Sequence, residues 1–147
     1  MMLKRLMAAA VLAAFAAGVA VAADEPQVLR QQMMKKIGGS MGAMGAIAKG
    51  EKPFDADVVK AALTTIEENA RAFPDQFPAG TETGFETEAS PKIWENMDDF
   101  KAEAAKLAEV AEAQLASMPV DQAGVGATLK AVGAVCGECH QSYRMKK

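Results

Sequence analysis

Hydrophobic residues after position 25 recur every three to four residues, the spacing of helices that bury one side. A first helix is predicted from about Pro26 to Lys49, with an inward side formed by Leu29, Met33, Ile37, Met41, Met44, Ile47 and Ala48. The glycines at 38, 39, 42 and 45 weaken this helix by up to about 1 kcal/mol each. They indicate close approach of another helix or a flat ligand, or else a locally loose helix.

Three further helices follow, with Asp55, Ser90 and Asp121 as predicted N-caps. They run over about residues 56–73, 91–117 and 122–143. Their inward positions are Val58, Val59, Leu63, Ile66 and Phe73 in the second, Ile93, Trp94, Met97, Phe100, Leu107, Val110 and Leu115 in the third, and Val125, Leu129, Val132 and Val135 in the fourth. Two connections are short and one, residues 74–89, is long. The predicted fold is therefore all-α, an antiparallel four-helix bundle.

The first 22 residues have the pattern of a cleaved signal peptide. Lys4 and Arg5 precede an apolar run over residues 6–21, which is short for a membrane span, and Ala20-Val21-Ala22 is a small-x-small cleavage site. An uncleaved anchor is the alternative. The bundle domain then occupies residues 23–147, and we expect it in the periplasm of a Gram-negative source.

The charge pattern excludes one class of partner. Removing two of the 16 basic residues with the signal peptide leaves 14 against 19 acidic residues, a net charge of about −5. No basic stripe interleaved with aromatic residues occurs, so nucleic acid is not an expected partner.

The most informative motif is Cys136-Gly137-Glu138-Cys139-His140, near the end of the last predicted helix. Positions i, i+3 and i+4 share one helix face, so two thiols and an imidazole can meet the same flat ligand. Cys-x-x-Cys-His is the attachment signature of c-type haem, with the neutral histidine as an axial iron ligand. The motif therefore predicts one covalent haem c, bound through Cys136 and Cys139, with His140 on the iron.

Other uses of the two cysteines fit less well. A redox dithiol belongs at the start of a helix beside a parallel sheet, and structural zinc needs four ligands where this chain has two cysteines and one histidine. A disulfide within one helical turn would be strained and would leave His140 without a role.

The sixth iron position is methionine, lysine, water or empty, because His140 is the only histidine. Seven methionines follow the signal region, and most are expected to fill the core. Arg30 projects into the apolar stripe of the first helix, where a haem propionate would offset its charge. A snorkelling arginine at the end of the bundle is the alternative. Met34, one turn on, could reach the iron face opposite His140.

Together these residues make the chain resemble the class II c-type cytochromes, the cytochrome c-prime family. The resemblance covers nearly all of the mature chain, and its motifs are the C-terminal Cys136–His140 with Tyr143-Arg144, Arg30 with Met34, Lys49–Asp55, and Ser90–Trp94. It implies a four-helix bundle, Arg30 near a propionate, and Arg144 near the proximal haem face. Trp94 and Phe100 would either line the haem or pack without touching it.

Two functions follow from this resemblance. Low-spin members of the family place a methionine on the iron, here Met34, and transfer electrons to periplasmic redox proteins. High-spin members leave the iron five-coordinate and bind nitric oxide or carbon monoxide. The electron carrier is the favoured hypothesis, and homodimers occur among relatives. An enzyme such as a peroxidase is not expected, because no distal acid–base histidine is available.

Overall fold

The computed structural model describes residues 24–146. Its helices are α1 (Pro26–Ala48), α2 (Ala56–Ala72), α3 (Lys92–Glu95), α4 (Met97–Ala116) and α5 (Gln122–Tyr143), with a 3₁₀ turn at Phe73–Gln76. The long helices α1 and α4 each pack against both α2 and α5. This arrangement confirms the predicted antiparallel four-helix bundle. Across the described residues, no helix has the length and apolar character needed to cross a bilayer. The predicted signal peptide, residues 1–22, lies outside this part of the chain.

Two of the predicted N-caps stabilise helix starts directly. Asp55 Oδ1 accepts hydrogen bonds from the backbone N–H groups of Asp57, at 2.9 Å, and Val58, at 3.2 Å. Asp121 Oδ1 accepts from the Gly124 N–H at 2.8 Å. Each bond satisfies a backbone donor that the first turn of a helix leaves without a partner.

The predicted third helix is divided in two at Asn96. Ser90 Oγ accepts a bond from the Lys92 N–H at 3.3 Å, as a cap would, and a short helix begins there. At Asn96 the backbone leaves the helical region (φ −134°, ψ 48°), while its side-chain amide donates to Lys92 O at 3.1 Å. An asparagine amide that bonds a nearby carbonyl competes with the helical pattern, so the expectation of one continuous helix is wrong.

The core has two parts. The larger lies along all four long helices and contains Ile37, Met44, Ile47, Val59, Ala62, Leu63, Ile66, Ala70, Leu107, Ala108, Ala111, Val125, Val132 and Val135. The smaller consists of Phe77, Ile93, Phe100 and Tyr143.

One predicted inward position is wrong, because Val58 is 40% exposed while Val59 is fully buried. Adjacent residues differ by about 100° around a helix, and Val59 is in register with Leu63 and Ile66.

The glycines of α1 do not mark close contact with another helix. A Cβ atom placed on Gly38, Gly39, Gly42 or Gly45 would meet nothing within 4 Å. The prediction that these glycines allow close approach of another helix is therefore wrong. Gly38, however, lines the cavity described next, so the possibility of a flat ligand against α1 remains.

Candidate functional site

A cavity of about 630 Å³ lies at one end of the bundle, within the size range of cofactor sites. Its walls come mainly from α1, α4, α5 and the segment 77–91, here called the strap, with single residues from α2, the 3₁₀ turn and α3. Most of the lining is apolar, including Ile37, Phe73, Phe77, Ile93, Phe100, Leu107 and Val135. The first and last long helices therefore contribute to the same site.

The residues of the Cys-x-x-Cys-His motif line this cavity together. Cys136, Cys139 and His140 all lie on α5, at the i, i+3 and i+4 spacing that puts them on one face. Both cysteines are free thiols and are half-buried. The arrangement presents two sulfurs and an imidazole to the same space.

The electrostatics of the motif oppose a redox dithiol. Burial raises the pKa of Cys136. Burial, followed by the charge of Glu103, raises the pKa of Cys139 to about 11. A redox-active cysteine needs a lowered pKa to form thiolate at neutral pH. Desolvation and the positive charge of Arg144 lower the pKa of His140, which favours the neutral imidazole that binds metals.

Met34 lines the cavity from α1, one turn beyond Arg30. Met41, two turns further along the same helix, is the other methionine among the lining residues. Met44 is fully buried in the core. The cavity thus brings Met34 and His140 to one site, and leaves a second thioether that the sequence did not single out.

Arg30 is buried, with 3% of its surface exposed, and its outer nitrogens bind the strap and the last residue of the 3₁₀ turn before it. Nη1 donates to Gln76 O at 3.3 Å and Thr81 Oγ1 at 3.2 Å. Nη2 donates to Thr81 O at 2.7 Å and Thr87 Oγ1 at 2.8 Å. Nε is buried and has no hydrogen-bond partner. Sequence analysis missed the strap as a partner for this charge, and the propionate contact stays a prediction.

Two aromatic rings complete the surroundings of Arg30. Its guanidinium carbon lies 4.8 Å from the ring centroid of Phe77 and 5.6 Å from that of Trp94. Phe100 lines the cavity, whereas Trp94 is not among its lining residues and packs on Phe77 at 5.6 Å. Of the two aromatic residues considered from the sequence, Phe100 is therefore the one at the site.

The strap is also attached at its other end. The Ser90 N–H donates to Tyr143 O at 2.9 Å, and Ala89 and Arg144 form an isolated antiparallel bridge. Arg144 lines the cavity and pairs with Glu88, which lines it too. The implied position of Arg144 near the proximal haem face stays a prediction, and Glu88 was not anticipated.

Two acidic residues of α4 near the site were also missed. Glu103 lines the cavity, and its Oε2 is buried without a hydrogen-bond partner. The Tyr143 hydroxyl donates to Asp99 Oδ2. In the sequence both carboxylates fall among the polar positions of an amphipathic helix, where a solvent-facing role is the ordinary expectation.

A helical bundle with an apolar cavity, two thiols and an imidazole on one wall is the framework of a covalent haem protein. The residues fit this group, because a large flat cofactor would occupy the apolar cavity between α1 and α5. Within residues 24–146, no alternative cluster of metal-binding side chains occurs.

Comparison with known proteins identifies the family. The profile of the family Cytochrome C' matches residues 25–144. Cytochrome c-556 of Agrobacterium fabrum is 60% identical over 147 residues, 100% of this chain and 99% of the relative. The structure of cytochrome c' from Rhodopseudomonas palustris is 34% identical with a TM-score of 0.79, covering 85% of this chain and 99% of that one.

A third comparison involves a bound gas. A nitric oxide complex of a cytochrome c-prime variant from Alcaligenes xylosoxidans has a TM-score of 0.71 at 28% identity, covering 82% of this chain and 94% of that one. The chain belongs to the cytochrome c' family. It is a haem c protein of the kind that carries electrons or binds gases.

Proposed function

We propose that this chain is a periplasmic electron carrier in which Cys136 and Cys139 attach the haem and His140 and Met34 are the axial ligands. The single observation that supports this most directly is that all four side chains line one cavity. Bound haem iron supplies a one-electron ferric–ferrous couple, and methionine–histidine ligation raises its potential.

Residues around the cavity would exclude water from the haem and hold the strap in place. The apolar lining keeps water from most of the cofactor, and burial on this scale is a main determinant of potential. Arg30 fixes the strap across the cavity through three hydrogen bonds, to Thr81 and Thr87, and a fourth bond reaches Gln76 just before the strap.

The attachment is tested by replacing Cys136 and Cys139 with serine. The exported wild-type protein should keep its pigment in acidified organic solvent, and the double variant should carry no covalent pigment. Covalent haem in the double variant would disprove the attachment.

The sixth ligand is tested by the ferric optical spectrum. A sulfur-to-iron charge-transfer band should be present in the wild type and lost in Met34→Ala. Met41→Ala is the matched control, because Met41 lines the same cavity from the same helix and should leave the band in place. Loss of the band in Met41→Ala alone would transfer the assignment to Met41.

The second candidate function is gas binding at an open iron face, favoured by the nitric oxide complex of the Alcaligenes xylosoxidans relative. A high-spin ferric spectrum and fast carbon monoxide binding by the reduced wild-type protein would establish it and exclude the carrier.

The periplasmic location rests on residues 1–22 as a cleaved signal peptide and residues 23–147 as the mature domain. Mass spectrometry of the protein from a periplasmic fraction should find Ala23 or Asp24 as the first residue. An intact N-terminus in the membrane fraction would support the uncleaved anchor instead.

A further inference from the structure

The strap and the residues after α5 form a small paired structure next to the haem-binding motif. Besides the Ala89–Arg144 bridge, the Met145 N–H donates to Glu88 O at 2.8 Å. These backbone bonds fix the strap residues 88–90 alongside residues 143–145. As a result, Glu88 is held at a defined place relative to the end of α5.

The side chains of this paired structure form an ion pair beside His140. Arg144 Nε donates to Glu88 Oε2 at 2.6 Å, and Arg144 Nη2 lies 2.5 Å from the same oxygen. Glu88, Arg144 and His140 line the main cavity together. They also line a smaller side cavity, which Met145 and Lys146 complete. The pair is partly shielded, with 31% of the Glu88 side chain exposed against 54% of Arg144.

We propose that Glu88 is a positioning residue for the proximal ligand: it holds Arg144 and balances its charge beside His140, and thereby lowers the reduction potential. This inference rests on the proposed role of His140 as the axial ligand. Outer groups that orient or polarise a ligating histidine change its electron donation to the metal. A positive charge left unbalanced near the iron favours the ferrous state, whereas a negative charge favours the ferric state.

The placement of the charges agrees with this role. Glu88, Arg144 and His140 line both the main cavity and the side cavity, so the two opposite charges face the same space as the imidazole. The carboxylate comes from the strap and the guanidinium from the residue after α5, and their ion pair holds the two groups together.

The first test is the reduction potential of the holoprotein, measured by spectroelectrochemistry. Glu88→Gln should raise the potential and Arg144→Gln should lower it. The double variant should return close to wild type, since the two charges are removed together. Glu88→Asp keeps the charge and should lie between wild type and Glu88→Gln. Two single variants that shift the potential in the same direction would overturn the proposal.

The second test separates a contact at His140 from a general effect of charge. The iron–histidine stretching band is measured by resonance Raman spectroscopy of the ferrous protein in a Met34→Ala background, where histidine is the only proposed axial ligand. Glu88→Gln should lower its frequency. Glu86→Gln removes the same charge from the same strap. Glu86 lines the main cavity but not the side cavity that Glu88, Arg144 and His140 share, so this variant should leave the frequency unchanged.

These outcomes distinguish the inference from the proposed function beneath it. An iron–histidine band that is present but equally unaffected by Glu88→Gln and Glu86→Gln would disprove the role of Glu88 and leave His140 as the ligand. Absence of the band from the Met34→Ala protein itself, with covalent pigment intact, would disprove the ligand assignment.

Discussion

Tyr143, the single tyrosine of the chain, ends α5 with its ring in the core and its hydroxyl donating to Asp99 on α4. That bond, followed by burial, raises the pKa of Tyr143 to about 12. The protonated phenol is therefore favoured in the folded state over the unfolded state. It ties the last turn of α5 to the α4 wall of the cavity.

This bond predicts a specific alkaline dependence of stability. Because the folded pKa lies above the ordinary value of 10, the contribution of Tyr143 is complete below pH 10 and is lost as the pH rises to about 12. Tyr143→Phe should cost about 1 kcal/mol at neutral pH, the net worth of an ordinary hydrogen bond. Denaturant unfolding of wild type and variant at several pH values measures the difference. A gap between the two proteins that stays constant from pH 8 to 12 would contradict the assignment.

Phe100 is the centre of the aromatic cluster at the site. Its ring centroid lies 4.7 Å from that of Phe77, 5.4 Å from Tyr143 and 6.0 Å from Phe73, and the residue is 1% exposed. Such offset or edge-on pairs add to the free energy of burial. The cluster supports the strap and the end of α5 at once.

Phe100→Ala should therefore lower the free energy of unfolding by about 3–5 kcal/mol, the usual cost of removing a buried aromatic side chain. Phe85→Ala is the control, because Phe85 is 55% exposed and should change stability by less than about 0.5 kcal/mol. Equal losses in the two variants, measured by denaturant titration, would show that Phe100 is not central to the packing.

At the scale of elements, the strap is held mainly by α1. Besides Arg30, Gln27 Nε2 donates to Thr83 O at 2.9 Å, and Gln31 Nε2 donates to Phe85 O at 2.7 Å. Residues 27, 30 and 31 share one face of the helix. Within the strap, Gly84, Phe85 and Glu86 all have positive φ, and the last two lack the freedom of glycine.

Arg30→Gln should release the strap more than Gln31→Ala does, because Arg30 makes three hydrogen bonds to the strap and is buried. We expect hydrogen-exchange protection of residues 81–87 to fall at least tenfold in Arg30→Gln, about 1.4 kcal/mol of local stability. Protection unchanged in Arg30→Gln would mean that the arginine does not hold the strap.

The long helices could be predicted because a repeating apolar spacing and the caps Asp55 and Asp121 act over a few residues. The break at Asn96 depends on the hydrogen bond from its side-chain amide to Lys92 O. The spacing of apolar residues carries no information about that bond. The path of the strap could not be predicted at all. The strap accepts hydrogen bonds from Arg30, about 50 residues away in the chain, and pairs with residues 143–145. Neither contact leaves a pattern in the sequence.

In the candidate site, too, residues of a local motif could be predicted and residues brought in by long-range contacts could not. Cys136, Cys139 and His140 form a local motif, so their shared face was predictable from spacing alone. Glu88 and Glu103 were not, because an acidic residue at the site resembles one on the surface until the chain is folded. Their roles depend on contacts between distant elements.

For the molecule as a whole, the cavity means that the bundle lacks part of its core without the cofactor. Apolar side chains of α1, α4 and α5 that line it would face water in the haem-free chain. We expect the double variant Cys136→Ser with Cys139→Ser to unfold less cooperatively than the holoprotein, with a lower midpoint and binding of a hydrophobic dye. Calorimetry and dye fluorescence measure this. Identical cooperative transitions with and without haem would show that the bundle is complete by itself.

The placement of Met34 in the first helix and of the cysteine motif in the last has a practical result for anyone who purifies this protein. Under the proposed ligation, covalent pigment depends on the Cys136–His140 motif of α5, whereas the sulfur-to-iron band depends on Met34 of α1 as well. A preparation that has lost α1 should therefore keep covalent pigment but lack that band, and one that has lost the motif should carry no covalent pigment. A single absorption spectrum thus reports separately on the integrity of each terminus.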